Sequence, residues 1–137
     1  MITKKGHEMD KDKNGFLKIE IKDLIKWNEP NGEGCIASNK ITKEGWKVGF
    51  MTREKPNKDM PDSGWSFFKG DEDEEYMNNP NNFHVFAINT ICNYDPDIIP
   101  YIHSDVGTKL IRIDNHSFEV DNGSKPIHYE KQDRMVD

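Results

Sequence analysis

Only two cysteines, Cys35 and Cys92, occur in 137 residues. A chain this poor in cysteine is not built on a disulfide framework. Each cysteine lies in an apolar segment with no basic or histidine neighbour close in sequence, so two buried, reduced thiols are expected. Long apolar runs are also missing. Nothing approaches the roughly 18 consecutive apolar residues of a membrane-spanning helix. The opening residues Met1-Ile2-Thr3-Lys4-Lys5-Gly6-His7-Glu8 carry no apolar secretory segment. The expectation is a cytoplasmic protein without a membrane partner. Positive charge is short as well: 19 Lys and Arg against 25 Asp and Glu give a net charge of −6. That balance argues against nonspecific binding to nucleic acid or anionic lipid, which needs an excess of cations. It suits a basic protein partner.

Recognisable catalytic and metal motifs are absent too. The five histidines, His7, His84, His103, His116 and His128, form no metal-spaced pair. No Gly-x-Ser-x-Gly elbow surrounds any serine. No catalytic residue, no metal and no cofactor is therefore expected. Asp10-Lys11-Asp12-Lys13-Asn14-Gly15 copies the first half of a calcium loop, with acids at positions one and three, Asn at five and Gly at six. Position twelve is Ile21 rather than Glu, and Glu20 falls one place short. A polar turn is the expectation, and a calcium-sensing module using Asp10, Asp12 and Asn14 is the weaker alternative.

What remains is a lean, aromatic domain. Hydrophobic residues make up 34% of the chain and charged residues 32%, and seven Phe, four Tyr and three Trp must supply much of the core. The length suits one domain with a real core. Residues 1–33 read as an N-terminal extension, partly flexible, 34–120 as the domain, and 121–137 as a polar tail. Within the extension, residues 16–27 alternate like a strand that passes into a helical turn. Residues 28–34 form a linker punctuated by Pro30, Gly32 and Gly34. Strands are expected at 35–38, 46–53 and 65–68. A short helix should open within the acids 71–75, which oppose its dipole favourably, and end before Pro80. Residues 83–92 are apolar on both faces and read as the central strand. A Pro-initiated helix follows at 98–102. Strands at 108–113 and 117–120 can pair across Asp114-Asn115-His116. The fold class expected is α+β: a single domain, mainly antiparallel β-sheet with two or three short helices.

The residues that carry chemistry gather between Arg53 and Tyr76. A polar loop with two prolines leads into Asp62-Ser63-Gly64-Trp65, then an aromatic strand, then five consecutive acids. Arg53 with Glu54 and Asp62 reads as an internal ion pair that stiffens the loop, or alternatively as an anion-binding fork. Ser63 caps the turn, and Trp65 belongs to the core. Asp71, Glu72, Asp73, Glu74 and Glu75 exceed what a helix start requires and can steer a basic partner. The candidate partner-binding set is Arg53, Glu54, Asp62, Ser63, Trp65, Asp71, Glu72, Asp73, Glu74, Glu75 and Tyr76. A rival reading is a small hydrolase or ligand-binding enzyme using Arg53, Glu54, Asp62 and His84.

Several blocks resemble one family. They are Cys35-Ile36-Ala37-Ser38 with Ile41-Thr42, Gly45-Trp46-Lys47-Val48-Gly49-Phe50-Met51, Arg53-Glu54 and Asp62-Ser63-Gly64-Trp65. Further blocks are Gly70-Asp71-Glu72-Asp73-Glu74-Glu75-Tyr76-Met77, Asn89-Thr90-Ile91-Cys92-Asn93-Tyr94-Asp95-Pro96-Asp97-Ile98 and Val106-Gly107. In this order, over about residues 34–112, the chain resembles the number-33 family of predicted bacterial immunity proteins, earlier a domain of unknown function. It departs from that pattern at Thr52, where the family usually carries an aromatic. The resemblance implies a cytosolic partner of a polymorphic toxin, encoded beside it and blocking it by direct binding. It implies no catalytic residue.

Overall fold

The computed structural model describes residues 10–121. His7, His128 and the expected tail beyond Asp121 lie outside the described residues. Six strands, β1 (Gly34–Ser38), β2 (Phe50–Arg53), β3 (Trp65–Phe68), β4 (Phe83–Ala87), β5 (Lys109–Arg112) and β6 (Phe118–Val120), form one sheet in the order β4-β1-β3-β2-β5-β6. β1 and β3 run parallel, and every other neighbouring pair is antiparallel. Three short helices, α1 (Asn39–Thr42), α2 (Glu74–Met77) and α3 (Ile88–Tyr94), and two 3-10 turns, Pro80–Asn82 and Pro96–Tyr101, complete the fold. This is the α+β domain expected from the sequence.

Alternation decides which face is buried. In β1, Cys35 and Ala37 point inward and Ile36 outward; in β3, Trp65 and Phe67 point inward and Ser66 and Phe68 outward. Met51 and Arg53 stand in register with Phe67 and Trp65 and share their inner side. Against this face packs the helical layer. Ile88, Ile91 and Cys92 recur at helical spacing along α3, and Ile41, Ile98 and Ile102 join them in one core cluster. Both cysteines are buried and free. Burial pushes the Cys92 thiol up to about 12 and raises Cys35 well above its ordinary value, so neither is poised as a nucleophile.

The structure corrects three expectations. The apolar run 83–92 is not one central strand. It divides into β4, at an end of the sheet, and the first five residues of α3. The apolar residues 88, 91 and 92 already carried the helical spacing, but the run's uninterrupted apolarity concealed it. The strand expected over 46–53 begins only at Phe50, because the backbone amide of Val48 is taken by the Asp95 carboxylate, at 2.9 Å.

Residues 16–27 form no strand and no helix. They cross the helical layer as an extended arm held by side chains. Asn89 Oδ1 accepts from the amides of Leu24 (2.8 Å) and Ile25 (3.3 Å), and Asn93 Oδ1 accepts from Lys22 (3.0 Å). Both asparagine amides donate to the Lys22 carbonyl. Tyr94 donates its hydroxyl hydrogen to the Leu17 carbonyl at 2.8 Å. Leu17 enters the core, and Ile19, Ile25 and Trp27 pack against it. The arm's backbone polar groups are thus partly satisfied by α3 rather than by a neighbouring strand.

Candidate functional site

The Asp62-Ser63-Gly64-Trp65 turn closes the loop that follows β2. Asp62 accepts hydrogen bonds from the Asn57 amide (2.7 Å) and the Gly64 amide (2.9 Å), one on each carboxylate oxygen. Ser63 donates to the Gly34 carbonyl at 2.8 Å and accepts from the Trp65 amide at 3.1 Å. Gly64 has φ +89°, and a Cβ there would run into the Glu54 carbonyl. Only glycine meets both demands without displacing backbone. Asn31 ties the loop from outside by donating to the carbonyls of Asn57 and Asp62.

Arg53 is interior, not an exposed anion fork. Its guanidinium donates to the Ser63 carbonyl (2.9 Å), the Ser104 carbonyl (2.8 Å) and Glu29 Oε1 (2.6 Å), and it lies beside the rings of Trp27 and Trp65. The internal ion pair exists, but its acid is Glu29 rather than Glu54 or Asp62. Glu29 also holds His103 Nδ1 at 3.0 Å, and His103 stacks on Trp27. The rival catalytic cluster does not assemble. His84 stands on β4, three positions along the sheet from Arg53 on β2, about 14 Å at ordinary strand spacing. It bonds Asn39 and meets the edge of Phe16 instead.

The Glu29 link makes a pH prediction. The hydrogen bond from Arg53 holds the Glu29 carboxyl below its ordinary value of 4.5, against partial burial that raises it. A depressed folded value means that this stabilisation is complete above the unfolded value and is lost as pH falls through the folded one. Glu29→Gln is therefore expected to lower the urea midpoint at pH 7 and to show a shallower acid limb below pH 4.5 than the wild type. Acid limbs of equal steepness in the two proteins would show that Glu29 contributes nothing there.

The five acids have different duties. Asp71 binds Lys40 at 2.9 Å and Lys69 at 2.6 Å. Partial burial raises its carboxyl, but the two lysines outweigh this and hold it below the usual range. Glu72 folds back to accept from the amides of Lys69 (2.8 Å) and Gly70 (2.7 Å). Asp73 caps α2 by accepting from the Tyr76 amide at 2.8 Å. Glu74 and Glu75 are exposed in the first turn of α2, with no partner among the described residues. Tyr76 lies half-buried below Lys40, meets Phe83 edge-on and receives the Ser38 hydroxyl hydrogen at 3.3 Å.

Beside α2 the outer face of the sheet is apolar and, among the described residues, uncovered, a feature the sequence reading did not anticipate. Ile36, Ser66, Phe68, Phe83, His84 and Val85 line a depression of about 420 Å³, closed at one side by Met77 of α2 and by Pro80. A second depression, about 280 Å³, continues it over Phe50, Phe68, Met77, Gly70 and Glu72. Ile36, Met77 and Val85 are 43%, 44% and 74% exposed. The alternation of β1 and β3 was the available signal, since Ile36 and Phe68 fall opposite the core residues. Among the described residues that line the larger depression His84 alone is titratable, and its ring is turned to the inner side of β4 against Phe16 and Asn39, so the face offers shape and apolar area rather than converging catalytic groups.

Asp12 closes a tight turn by accepting from the amides of Asn14 (2.8 Å) and Phe16 (3.0 Å), both on Oδ1. Among the described residues, no three His, Cys, Asp or Glu side chains gather as metal ligands. No helix among them is long and apolar enough to cross a membrane. A family model described as the immunity protein Imm33 domain matches residues 35–121, more than half of the chain and past the end of the blocks that carry the resemblance. No curated protein and no solved structure gives a match.

Proposed function

The chain belongs to the Imm33 immunity protein family, and from that premise we propose that it neutralises a cognate toxin in the cytoplasm by binding it directly, with no chemistry of its own. The observation that carries the reading is the apolar face of Ile36, Phe68, Met77, Phe83 and Val85, uncovered among the described residues, beside the acidic start of α2. Contiguous exposed apolar surface with a polar border is characteristic of protein contact sites. The net charge of −6, and Glu74 and Glu75 without partners among the described residues, favour a toxin with a basic surface. Within the candidate set, Glu74, Glu75 and Tyr76 supply contact. Asp71, Glu72 and Asp73 shape the segment that presents them. Arg53, Asp62, Ser63 and Trp65 hold the frame, and Glu54 stands exposed at its rim.

Steering and contact separate kinetically. Glu74→Gln with Glu75→Gln removes two charges that make no bond among the described residues. Association with the toxin domain encoded beside this chain should slow by about threefold to tenfold at low salt, with dissociation little changed. The difference should shrink as salt approaches physiological strength, where the screening length is about 8 Å. Unchanged association at low salt would remove these two acids from the site. A wild-type chain that neither binds nor neutralises that toxin would overturn the reading itself.

A further inference from the structure

The two ends of the sheet are unlike. Edge strands that must stay single are ordinarily short, charged, bulged or interrupted by proline. β6 follows that rule, with three residues and Glu119 in the middle. β4 does not. Phe83-His84-Val85-Phe86-Ala87 contains no charge, no proline and no glycine, and it pairs with β1 over all five positions. Among the described residues, the backbone groups of Val85 make no hydrogen bond beyond that pairing. Phe16 covers the inner side of this edge by packing edge-on to His84 and Phe86. The outer side is open among the described residues. Val85 stands opposite Ile36 there, at the lip of the larger depression.

An open ladder flanked by an apolar trough is the geometry of strand addition, in which main-chain bonds give affinity and alternate side chains give selectivity. Resting on the reading that the partner is a toxin, we propose that the toxin supplies an extended segment of about five residues that adds to the free edge of β4. Its alternate apolar side chains lie on Val85, Ile36 and Phe83. A Lys or Arg of the same partner faces Glu74 and Glu75, whose helix closes the trough through Met77. Charge complementarity favours this occupant over a second copy of the chain, which would bring another acidic surface to the same place.

The test uses the full chain with the toxin domain encoded beside it, inactivated in its own catalytic site. Amide hydrogen exchange at Val85 and Ala87 should slow in the complex by about tenfold or more, because these free edge amides become ladder amides. Val85→Lys puts a charge on the edge and should weaken binding by about tenfold or more, whereas Val85→Thr keeps a strand-forming side chain and should bind within about threefold. Both variants should melt with the wild type, since the side chain is 74% exposed. Toxin binding without slowed exchange at Val85 and Ala87, and with Val85→Lys as tight as wild type, overturns strand addition and leaves the immunity function standing. If the wild type neither binds nor neutralises the toxin, both fail together. If the chain alone forms a dimer with these two amides protected, and Val85→Lys makes it monomeric, the edge belongs to a second copy and the toxin assignment is overturned.

Discussion

Trp65→Ala is expected to lower stability by about 3–5 kcal/mol, enough to consume much of the margin of an ordinary domain. Trp65 is 1% exposed and stacks on Phe67. Its indole N–H donates to the Ile102 carbonyl at 2.7 Å, and its ring lies beside the Arg53 guanidinium. Alanine would leave a large cavity, strand that buried carbonyl and remove one of the two rings flanking Arg53. Trp65→Phe keeps most of the volume but not the hydrogen bond, so it should fall between alanine and wild type. Urea unfolding of the three proteins checks this. A midpoint for the alanine variant close to wild type, together with lost toxin binding, would place Trp65 at the contact surface instead.

Trp65 was legible because several levels of the sequence agreed about it. Gly64 marked the turn, residues 65–68 were aromatic, and alternation put Trp65 and Phe67 on one side. The hairpin of β5 and β6 was legible for a similar reason, since two short apolar runs flank a polar turn at 114–116. The α2 start was equally local: an acid caps it and acids fill its first turn. In each case the deciding interactions lie within a few residues.

The misread parts depend on partners far away in sequence. Residues 16–27 satisfied both a strand and a helix pattern. The amides of Lys22, Leu24 and Ile25 bond Asn93 and Asn89, more than sixty positions away, so neither periodicity could describe them. Arg53 had Glu54 and Asp62 close at hand but pairs with Glu29, because Arg53 points into the core and Glu29 closes the site over it. The apolar run 83–92 suggested burial on both faces. Yet Val85 is largely exposed, because β4 ends the sheet. This same misreading hid the open edge, since a strand taken as central has no edge to offer. The acids 71–75 stand out in the sequence as a group, but the sequence could not divide them. Asp71, Glu72 and Asp73 are consumed by internal bonds, and only Glu74 and Glu75 stand free of partners among the described residues.

The largest effect away from the candidate surface should come from Arg112→Ala, at about 3–5 kcal/mol. The Arg112 side chain is fully buried. It donates to Asp95 at 2.7 Å, Asp97 at 2.9 Å, the Val48 carbonyl at 2.7 Å and the Asn115 carbonyl at 2.9 Å, over the ring of Phe118. One residue of β5 thereby joins the lead into β2, the 3-10 turn after α3 and the turn before β6. Alanine would leave the Asp95 carboxylate in the core with only the amides of Val48 and Asp97. Burial raises the Asp95 carboxyl, and Arg112 opposes that rise. Without the arginine only the amides of Val48 and Asp97 oppose the rise, and the folded value moves further above the unfolded one. A raised folded value stabilises at low pH and is lost as pH rises. The deficit of Arg112→Ala should therefore be larger at pH 7 than near pH 4. Arg112→Lys should rescue little, because a point charge cannot reach two carboxylates and two carbonyls at once. Adding Asp95→Asn to Arg112→Met should recover part of the loss, because no unpaired charge remains inside. Urea midpoints at pH 7 and pH 4 decide the matter: an alanine deficit that is the same at both would mean that Arg112 stabilises by packing, not by compensating Asp95.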